Sequence, residues 1–179
     1  MQKQISFFSL SLIILFLAAC NSGSNTTDEV EQAEMSGSTY TVYVTYSSDC
    51  PFCIRYTKTL QDIKSELPKD WDFKFLKVIG EEEWDFDWNG SLSDDVIDDV
   101  DAIYIDRFGM DVYPQAVIAD SVGNILYKGS IDDRVHQIGL SKLKVTKNYL
   151  QSAIISIVNG ESPRWQHTEA IGCYIEDHE

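Results

Sequence analysis

Basic residues are scarce in this sequence. Lysine and arginine number 14 among 179 residues, against 29 aspartates and glutamates, and the formal net charge is −15 at pH 7. A nucleic-acid-binding protein needs a basic surface to neutralise phosphates, so we expect no nucleic-acid partner. Any electrostatic docking should favour a basic partner surface. The sequence shows no internal repeat.

The sequence also lacks an apolar run of the roughly 20 residues that a membrane-spanning helix needs. The run Ile5–Ala19 is shorter, is broken by serines and follows Lys3, a pattern typical of a secretory signal. It ends in Leu17–Cys20, which resembles the bacterial lipoprotein box, where cleavage precedes a lipid-modified cysteine. We interpret residues 1–19 as a signal peptide and Cys20 as the lipidation site. An uncleaved anchor, or a secreted protein with a free thiol at this position, is the alternative.

The segment after the signal has almost no apolar residues. Residues 20–38 are mainly Ser, Gly, Asn, Thr and acidic residues, which cannot bury enough surface to offset their ordering entropy. We predict a flexible tether there, followed by one domain over residues 39–179 with an acidic insertion around residues 80–100. The expected location is the cell envelope, with the protein exported and anchored to a membrane through lipid.

Cysteine is the next scarce residue, with four in the chain. Cys20 is assigned to the lipid, Cys50 and Cys53 form a close pair, and Cys173 is left over near the end. An exported protein can keep disulfides, so a permanent Cys50–Cys53 bridge is one interpretation of the pair.

The first half of the domain predicts a strand, a helix and a second strand. Thr39–Tyr46 is rich in β-branched and aromatic residues, which favours a buried strand. A helix should begin at Cys50–Pro51, because proline fits the first helical turn, and end at Pro68. Asp72–Val78 suits a second strand. The apolar residues of the helix recur at helical intervals: Ile54, Leu60, Ile63 and Leu67.

The second half predicts a helix, a hairpin and a last helix. Glu81–Asp106 is acidic; its first half is interpreted as a loop insertion, and Asp94–Phe108 has helical spacing. Gln115–Ala119 and Asn124–Lys128 predict a hairpin, and Thr146–Val158 a final helix. A βαβ unit followed by a ββα unit predicts an α/β fold with one mixed sheet and helices on both faces.

The spacing Cys50-Pro51-Phe52-Cys53 at a helix start predicts redox chemistry. The unsatisfied N–H groups and positive dipole end of a helix N-terminus stabilise a thiolate. We expect Cys50 to be exposed and nucleophilic, and Cys53, one turn in, to resolve the mixed disulfide. A zinc site would need two further thiolates or histidines, and those that remain have no paired spacing. A structural disulfide would not need this placement between a strand and a helix.

The strand Tyr40–Tyr46 and the motif Cys50–Cys53 together resemble the active-site entry of the thioredoxin superfamily. Arg107–Ile118 resembles the segment that reaches its cis-proline strand, and Asp120–Gly129 its last hairpin. The C-terminal third, to Ile175, resembles the redoxin-type branch of exported bacterial domains. The resemblance implies a thioredoxin fold with a central mixed sheet, and a redox-active dithiol without a further cofactor or metal.

The same resemblance implies that Pro114 is the cis-proline. The backbone of Tyr113 would then face the disulfide and pair with a bound peptide or thiol. Pro51 and Phe52 would complete the substrate groove. Asp49 stands where thioredoxins usually place tryptophan, and a carboxylate close to Cys50 would disfavour its thiolate.

Other residues allow two interpretations each. Cys173 is either a third redox thiol or, as is commoner for a lone late cysteine, a buried small hydrophobe. Trp84 and Trp88 are either a docking surface or the cover of the insertion's own core. We expect a surface role for His136. Asp98 and Asp99 are predicted to lie on a solvated helix face.

The function that these features predict is thiol–disulfide exchange on exported proteins, with electrons from another thiol–disulfide protein. Two alternatives stay open. A peroxide-reducing redoxin would oxidise Cys50 to a sulfenic acid that Cys53 traps; Thr45 is present, but not at the spacing that peroxiredoxins use. A non-catalytic module that binds copper or a haem-protein partner would keep the fold without turnover.

Overall fold

The computed structural model describes residues 39–78, 95–99 and 101–175. The predicted signal peptide, tether and loop insertion lie outside these ranges, as do Trp84 and Trp88. Within the described ranges, no helix is long and apolar enough to cross a membrane.

The described chain contains nine strands and three helices. The helices are α1 (Pro51–Ser65), α2 (Ile103–Phe108) and α3 (Tyr149–Val158). The strands are β1 (Tyr40–Thr45), β2 (Trp71–Val78), β3 (Val96–Asp99), β4 (Val112–Tyr113), β5 (Ala116–Asp120), β6 (Ile125–Gly129), β7 (Val135–Gln137), β8 (Leu140–Ser141) and β9 (Cys173–Tyr174).

A mixed five-stranded sheet with the order β3-β2-β1-β5-β6 forms the centre of the fold. Strand β1 pairs in parallel with β2 and antiparallel with β5, and β5 continues into the predicted hairpin with β6. Successive side chains of a strand point to opposite faces, and every residue from Thr41 to Thr45 is buried. Both faces of the central strand are therefore covered, as the sequence predicted for an α/β fold.

Aromatic contacts show how the helices cover the sheet. The Tyr43 ring centroid lies 4.9 Å from that of Phe108 on α2. Tyr46, just beyond β1 and on the opposite side by strand alternation, has its hydroxyl 3.0 Å from Thr57 Oγ1 of α1. Helices α1 and α2 thus pack on opposite faces of the sheet.

Helix α1 begins one residue after Cys50, which is its N-cap, and Pro51 occupies the first turn. The helix ends at Ser65, three residues before Pro68, as the proline predicts. Its buried face consists of Cys53, Tyr56, Leu60 and Ile63. Ile54, which the sequence spacing placed with these residues, is 56 % exposed.

The prediction of one helix over Asp94–Phe108 is wrong in its first half. Val96–Asp99 is a strand that pairs in parallel with β2, and only Ile103–Phe108 is helical. The predicted solvated helix face is also wrong for Asp99, which is buried and accepts hydrogen bonds from the backbone N–H groups of Tyr104 and Ile105. The carboxylate therefore satisfies two of the free N–H groups at the start of α2. The apolar spacing fits both a helix and a short buried strand. Pairing with β2 at the edge of the sheet makes this segment a strand.

The C-terminal third contains structure that the sequence did not predict. Residues 135–141 form a second small hairpin, and α3 begins at Tyr149 rather than Thr146. After α3 the chain returns along β6, where Lys128 N–H donates to Gln166 O and Thr168 N–H donates to Lys128 O. It then forms β9 beside β4. Strands of two residues carry no period that a sequence could display.

Asp99 provides a test of the fold. Replacing it with alanine leaves the buried N–H groups of Tyr104 and Ile105 without their acceptor, and should lower the free energy of unfolding by about 2 kcal/mol. The neighbouring Asp98 is 67 % exposed beside Lys77, so Asp98→Ala should change stability by less than about 0.5 kcal/mol. Urea denaturation of both variants measures the difference. Equal losses would contradict the capping role of Asp99.

Candidate active site

The Cys50–Cys53 motif lies at the junction of β1 and α1. A tight turn joins the two elements, in which Cys50 N–H lies 3.4 Å from Ser47 O. The Cys50 carbonyl then accepts from Ile54 N–H at 3.2 Å as the first helical hydrogen bond. Cys53 Sγ lies 3.4 Å from Ser47 N–H, which points at it from the turn. The motif is thus held by backbone contacts on both sides.

The Tyr113–Pro114 peptide bond lies against this junction, and it is cis, as the resemblance implied. Thr45 fixes the segment to the end of β1: its hydroxyl donates to Val112 O at 2.7 Å and accepts from Gln115 N–H at 2.9 Å. The carbonyl oxygen of Tyr113 lies 3.5 Å from Cys50 Sγ.

A third cysteine completes the site. Strand β9 pairs antiparallel with β4, and the register places Cys173 opposite Tyr113. Cys173 Sγ lies 2.8 Å from Cys50 Sγ, although 123 residues separate them in sequence. Cys173 is therefore not an isolated buried hydrophobe, which was the commoner interpretation of its sequence position. The only signal for this contact in the sequence was an odd cysteine left after Cys20 and the close pair, and an odd count names no partner.

The expectation that Cys50 is exposed is wrong. Only 4 % of the residue is accessible, and Cys53 is completely buried. Cys173 is partly accessible, as is Phe52, and Pro51 is exposed at the start of the helix. The C-terminal strand runs beside Tyr113 and brings Cys173 onto Cys50, so the predicted nucleophile lies beneath a segment that the sequence did not place there.

Hydrogen bonds to its sulfur lower the pKa of Cys50 to about 5. The thiol of Cys53 is the main cause; burial acts against it, and the Cys173 thiol and the N–H groups of Cys53 and Phe52 lower the pKa further. Asp49 is exposed, and the pKa of Cys50 is low despite this neighbouring carboxylate. Cys50 is therefore the thiolate of the site near neutral pH.

The other two thiols have the opposite behaviour. Burial raises the pKa of Cys53 far above its usual value, and the hydrogen bond to Cys50 raises it further. Burial and the hydrogen bond to Cys50 also raise the pKa of Cys173 to about 12. With pKa values raised in this way, both groups are expected to be neutral thiols near neutral pH, able to donate to the anionic Cys50 sulfur. The arrangement can form a disulfide from Cys50 to either neighbour.

The remaining candidates lie elsewhere. His136 and His167 are exposed. Within the described ranges, no group of three or more side chains is arranged to hold a metal ion.

The strand order, the Cys-x-x-Cys pair at the first helix and the cis-proline facing it define a thioredoxin-like α/β module. The sequence matches no family model and no curated protein. Among solved structures the chain is similar to a hypothetical protein of Sinorhizobium meliloti 1021, with 18 % identity and a TM-score of 0.57, over 80 % of this chain and 82 % of that one.

Two further solved structures are similar. An uncharacterized conserved protein of Geobacillus kaustophilus has 16 % identity and a TM-score of 0.55, over 80 % of both chains. The pneumococcal exposed lipoprotein thioredoxin of Streptococcus pneumoniae has 16 % identity over 51 % of this chain and 74 % of its own. Its TM-score of 0.43 is too low to establish a shared fold. The first two similarities concern the fold alone.

The acidity of Cys50 can be measured directly. The ultraviolet absorbance of the thiolate in the reduced protein should titrate with a midpoint near 5, because hydrogen bonds favour the charged form. An ordinary thiol titrates near about 8.5. Cys50→Ser should lose the transition near 5, because burial raises the pKa of Cys53 and of Cys173 and keeps both thiols protonated at that pH. A single transition near the ordinary value would refute the proposed hydrogen bonding.

Proposed function

We propose that the protein is a thiol–disulfide oxidoreductase that reduces or exchanges disulfides in exported proteins, with Cys50 as the nucleophile. The observation that carries this proposal is the position of the Cys50 sulfur, which lies at the start of α1 against the cis-proline segment and the Cys173 sulfur. The lowered pKa of Cys50 beside two protonated thiols supports a thiolate near neutral pH. The carbonyl of Tyr113 lies 3.5 Å from this sulfur and would accept from the backbone of a bound chain that takes the place of β9.

The lowered pKa of Cys50 and the raised pKa of Cys53 decide which cysteine attacks first. The Cys50 thiolate attacks one sulfur of a substrate disulfide; a bond forms between Cys50 and that sulfur, and the other substrate sulfur leaves as a thiolate. The Cys53 thiol then loses its proton and attacks Cys50 Sγ. The bond between Cys50 and the substrate breaks, and the protein is oxidised to the Cys50–Cys53 disulfide. The two substrate thiolates take up the Cys53 proton and one proton from solvent, so the substrate is released with two thiols. A dithiol protein that donates two electrons restores the starting state, and no cofactor takes part.

The environment of Thr45 favours disulfide exchange over peroxide reduction. A peroxidase of the peroxiredoxin kind would use a threonine hydroxyl near the reactive sulfur. Here the Thr45 hydroxyl is buried and engaged with Val112 O and Gln115 N–H on the cis-proline segment. Its hydrogen bonds hold the backbone rather than a substrate.

Export and anchoring complete the proposal. The lipoprotein-like sequence Leu17–Cys20 and the polar segment after it would hold the domain at a membrane of the cell envelope. Pro51 is exposed and Phe52 partly so, and both would contact the substrate chain. Tyr113 and Pro114 are buried, and they would contact a substrate chain that takes the place of β9.

Reduction of insulin by dithiothreitol tests the activity. The wild type should accelerate precipitation of the insulin B chain, and Cys50→Ser should lose nearly all of this acceleration because no thiolate remains to attack. Ser48→Ala, a small change in the same turn, should keep the wild-type rate. Retention of activity by Cys50→Ser would rule out the assigned nucleophile.

The anchor has an independent test. In a bacterial host supplied with labelled fatty acid, the wild type should incorporate label and sediment with membranes. Cys20→Ser should incorporate no label, because the modified sulfur is absent. Label in the Cys20→Ser protein would show that anchoring does not use this cysteine.

A further inference from the structure

We propose that Cys173 is a third redox residue of this site, which forms a disulfide with Cys50 in exchange with Cys53 and passes it to partner thiols. This inference rests on the proposed function, since it requires Cys50 to undergo disulfide exchange. It adds a second intramolecular disulfide and assigns β9 to the position next to the cis-proline strand.

The first support is the distance between the two sulfurs. Cys50 Sγ and Cys173 Sγ are 2.8 Å apart, and β9 holds Cys173 directly opposite Tyr113. A substrate chain that paired with the edge of Tyr113 would present its sulfur in the same place. The C-terminal strand therefore occupies the edge that a substrate would use, with a cysteine where the substrate cysteine would be.

The second support is the close fit of the chain before Cys173. A Cβ atom added to Gly172 would lie 1.8 Å from the carbonyl oxygen of Tyr113, so only glycine permits this approach. Thr168 holds the preceding residues: its hydroxyl accepts from Ser130 N–H at 2.9 Å and contacts Tyr127 OH at 3.0 Å. The segment before Cys173 is thus held at two points, by Ser130 and Tyr127 at Thr168 and by Tyr113 at Gly172. These contacts place Cys173 at one position.

The third support is accessibility. Cys53 is fully buried and Cys50 is 4 % exposed, whereas Cys173 is partly accessible. A partner thiol therefore reaches Cys173 more easily than either cysteine of the close pair. An outer thiol in contact with a buried nucleophile can carry the disulfide between them.

The exchange balances without an outside oxidant. Starting from the Cys50–Cys53 disulfide, Cys173 loses its proton and attacks Cys50 Sγ. The Cys50–Cys53 bond breaks, the Cys50–Cys173 bond forms, and Cys53 leaves as a thiolate that takes up the proton. A partner thiolate that then attacks Cys173 Sγ releases Cys50 as a thiolate and carries the disulfide outward.

The experiment uses the full chain of Cys53→Ser in a millimolar buffer of reduced and oxidised glutathione, acid-quenched and mapped by peptide mass spectrometry. We expect the Cys50–Cys173 disulfide to exceed the glutathione adduct on Cys50 by about tenfold or more, because the two sulfurs are already in contact. The double variant Cys53→Ser/Cys173→Ser should carry glutathione on Cys50 instead. If Cys53→Ser carries glutathione on Cys50 and a free thiol at Cys173, the inference is overturned.

Two results separate this inference from the proposed function. Insulin reduction by the wild type, combined with only the glutathione adduct in Cys53→Ser, would overturn the role of Cys173 and leave the function standing. A Cys50 that forms neither disulfide in an insulin-inactive protein would overturn both.

Gly172→Ala, added to Cys53→Ser, tests the geometry. The added methyl group must push β9 away from Tyr113, so the ratio of Cys50–Cys173 disulfide to glutathione adduct should fall by about tenfold. Tyr174→Ala is the matched control, because this neighbour on the same strand is 75 % exposed, and its ratio should not change. An unchanged ratio in the Gly172→Ala protein would contradict delivery of Cys173 by this strand.

Discussion

The hydroxyl group of Thr45 fixes the cis-proline segment of the candidate site to the end of β1, close to the cysteine motif. It is completely buried at the end of the central strand, where it donates to Val112 O and accepts from Gln115 N–H. Breaking either hydrogen bond of this buried hydroxyl would cost stability, because each lost partner leaves a buried polar group unsatisfied. The position of the Tyr113 carbonyl relative to Cys50 follows from these bonds, and so does the edge on which β9 pairs.

The pairing of β9 with β4 changes what the close cysteine pair can do. In the chain without its last segment, Cys50 would lose its contact with Cys173, and Cys53 would stay on the buried face of α1. The returning chain covers Cys50, fills the edge beside Tyr113 and adds a sulfur in contact with the first. Access to Cys50 therefore depends on the position of the C-terminal segment.

The sequence predicted the parts of the fold that have a period or a local signal. The buried strand before the motif, the proline at the start of α1 and the β5–β6 hairpin each depend on residues close in sequence, and each is present. The spacing of Cys50 and Cys53 identified the site for the same reason. Strand β3 was mistaken for helix because four residues at the edge of a sheet carry too little pattern to distinguish the two.

The contact of Cys173 with Cys50 could not be predicted, for a different physical reason. This contact depends on the course of the irregular segment that follows α3. That course is set by contacts such as those of Thr168 with Ser130 and of Gly172 with Tyr113. None of these leaves a spacing that can be recognised in one sequence. The prediction that Cys50 is exposed was wrong for the same reason, since the segment that covers Cys50 comes from the far end of the domain.

The acidity of Cys50 has to be explained against the charge of the whole protein. A formal charge of −15 opposes the formation of another anion, but this field acts over distances at which salt screens it. The hydrogen bonds from Cys53, Cys173 and the backbone act at contact distance in a buried site, where electrostatic interactions are stronger. They therefore outweigh the charge of the whole protein and lower the pKa of Cys50. Two of those donors are the sulfurs that can replace their hydrogen bond with a covalent bond to Cys50. The same atoms that make the thiolate therefore compete to bond with it, and the acidity of the nucleophile and the choice of its disulfide partner have one structural origin.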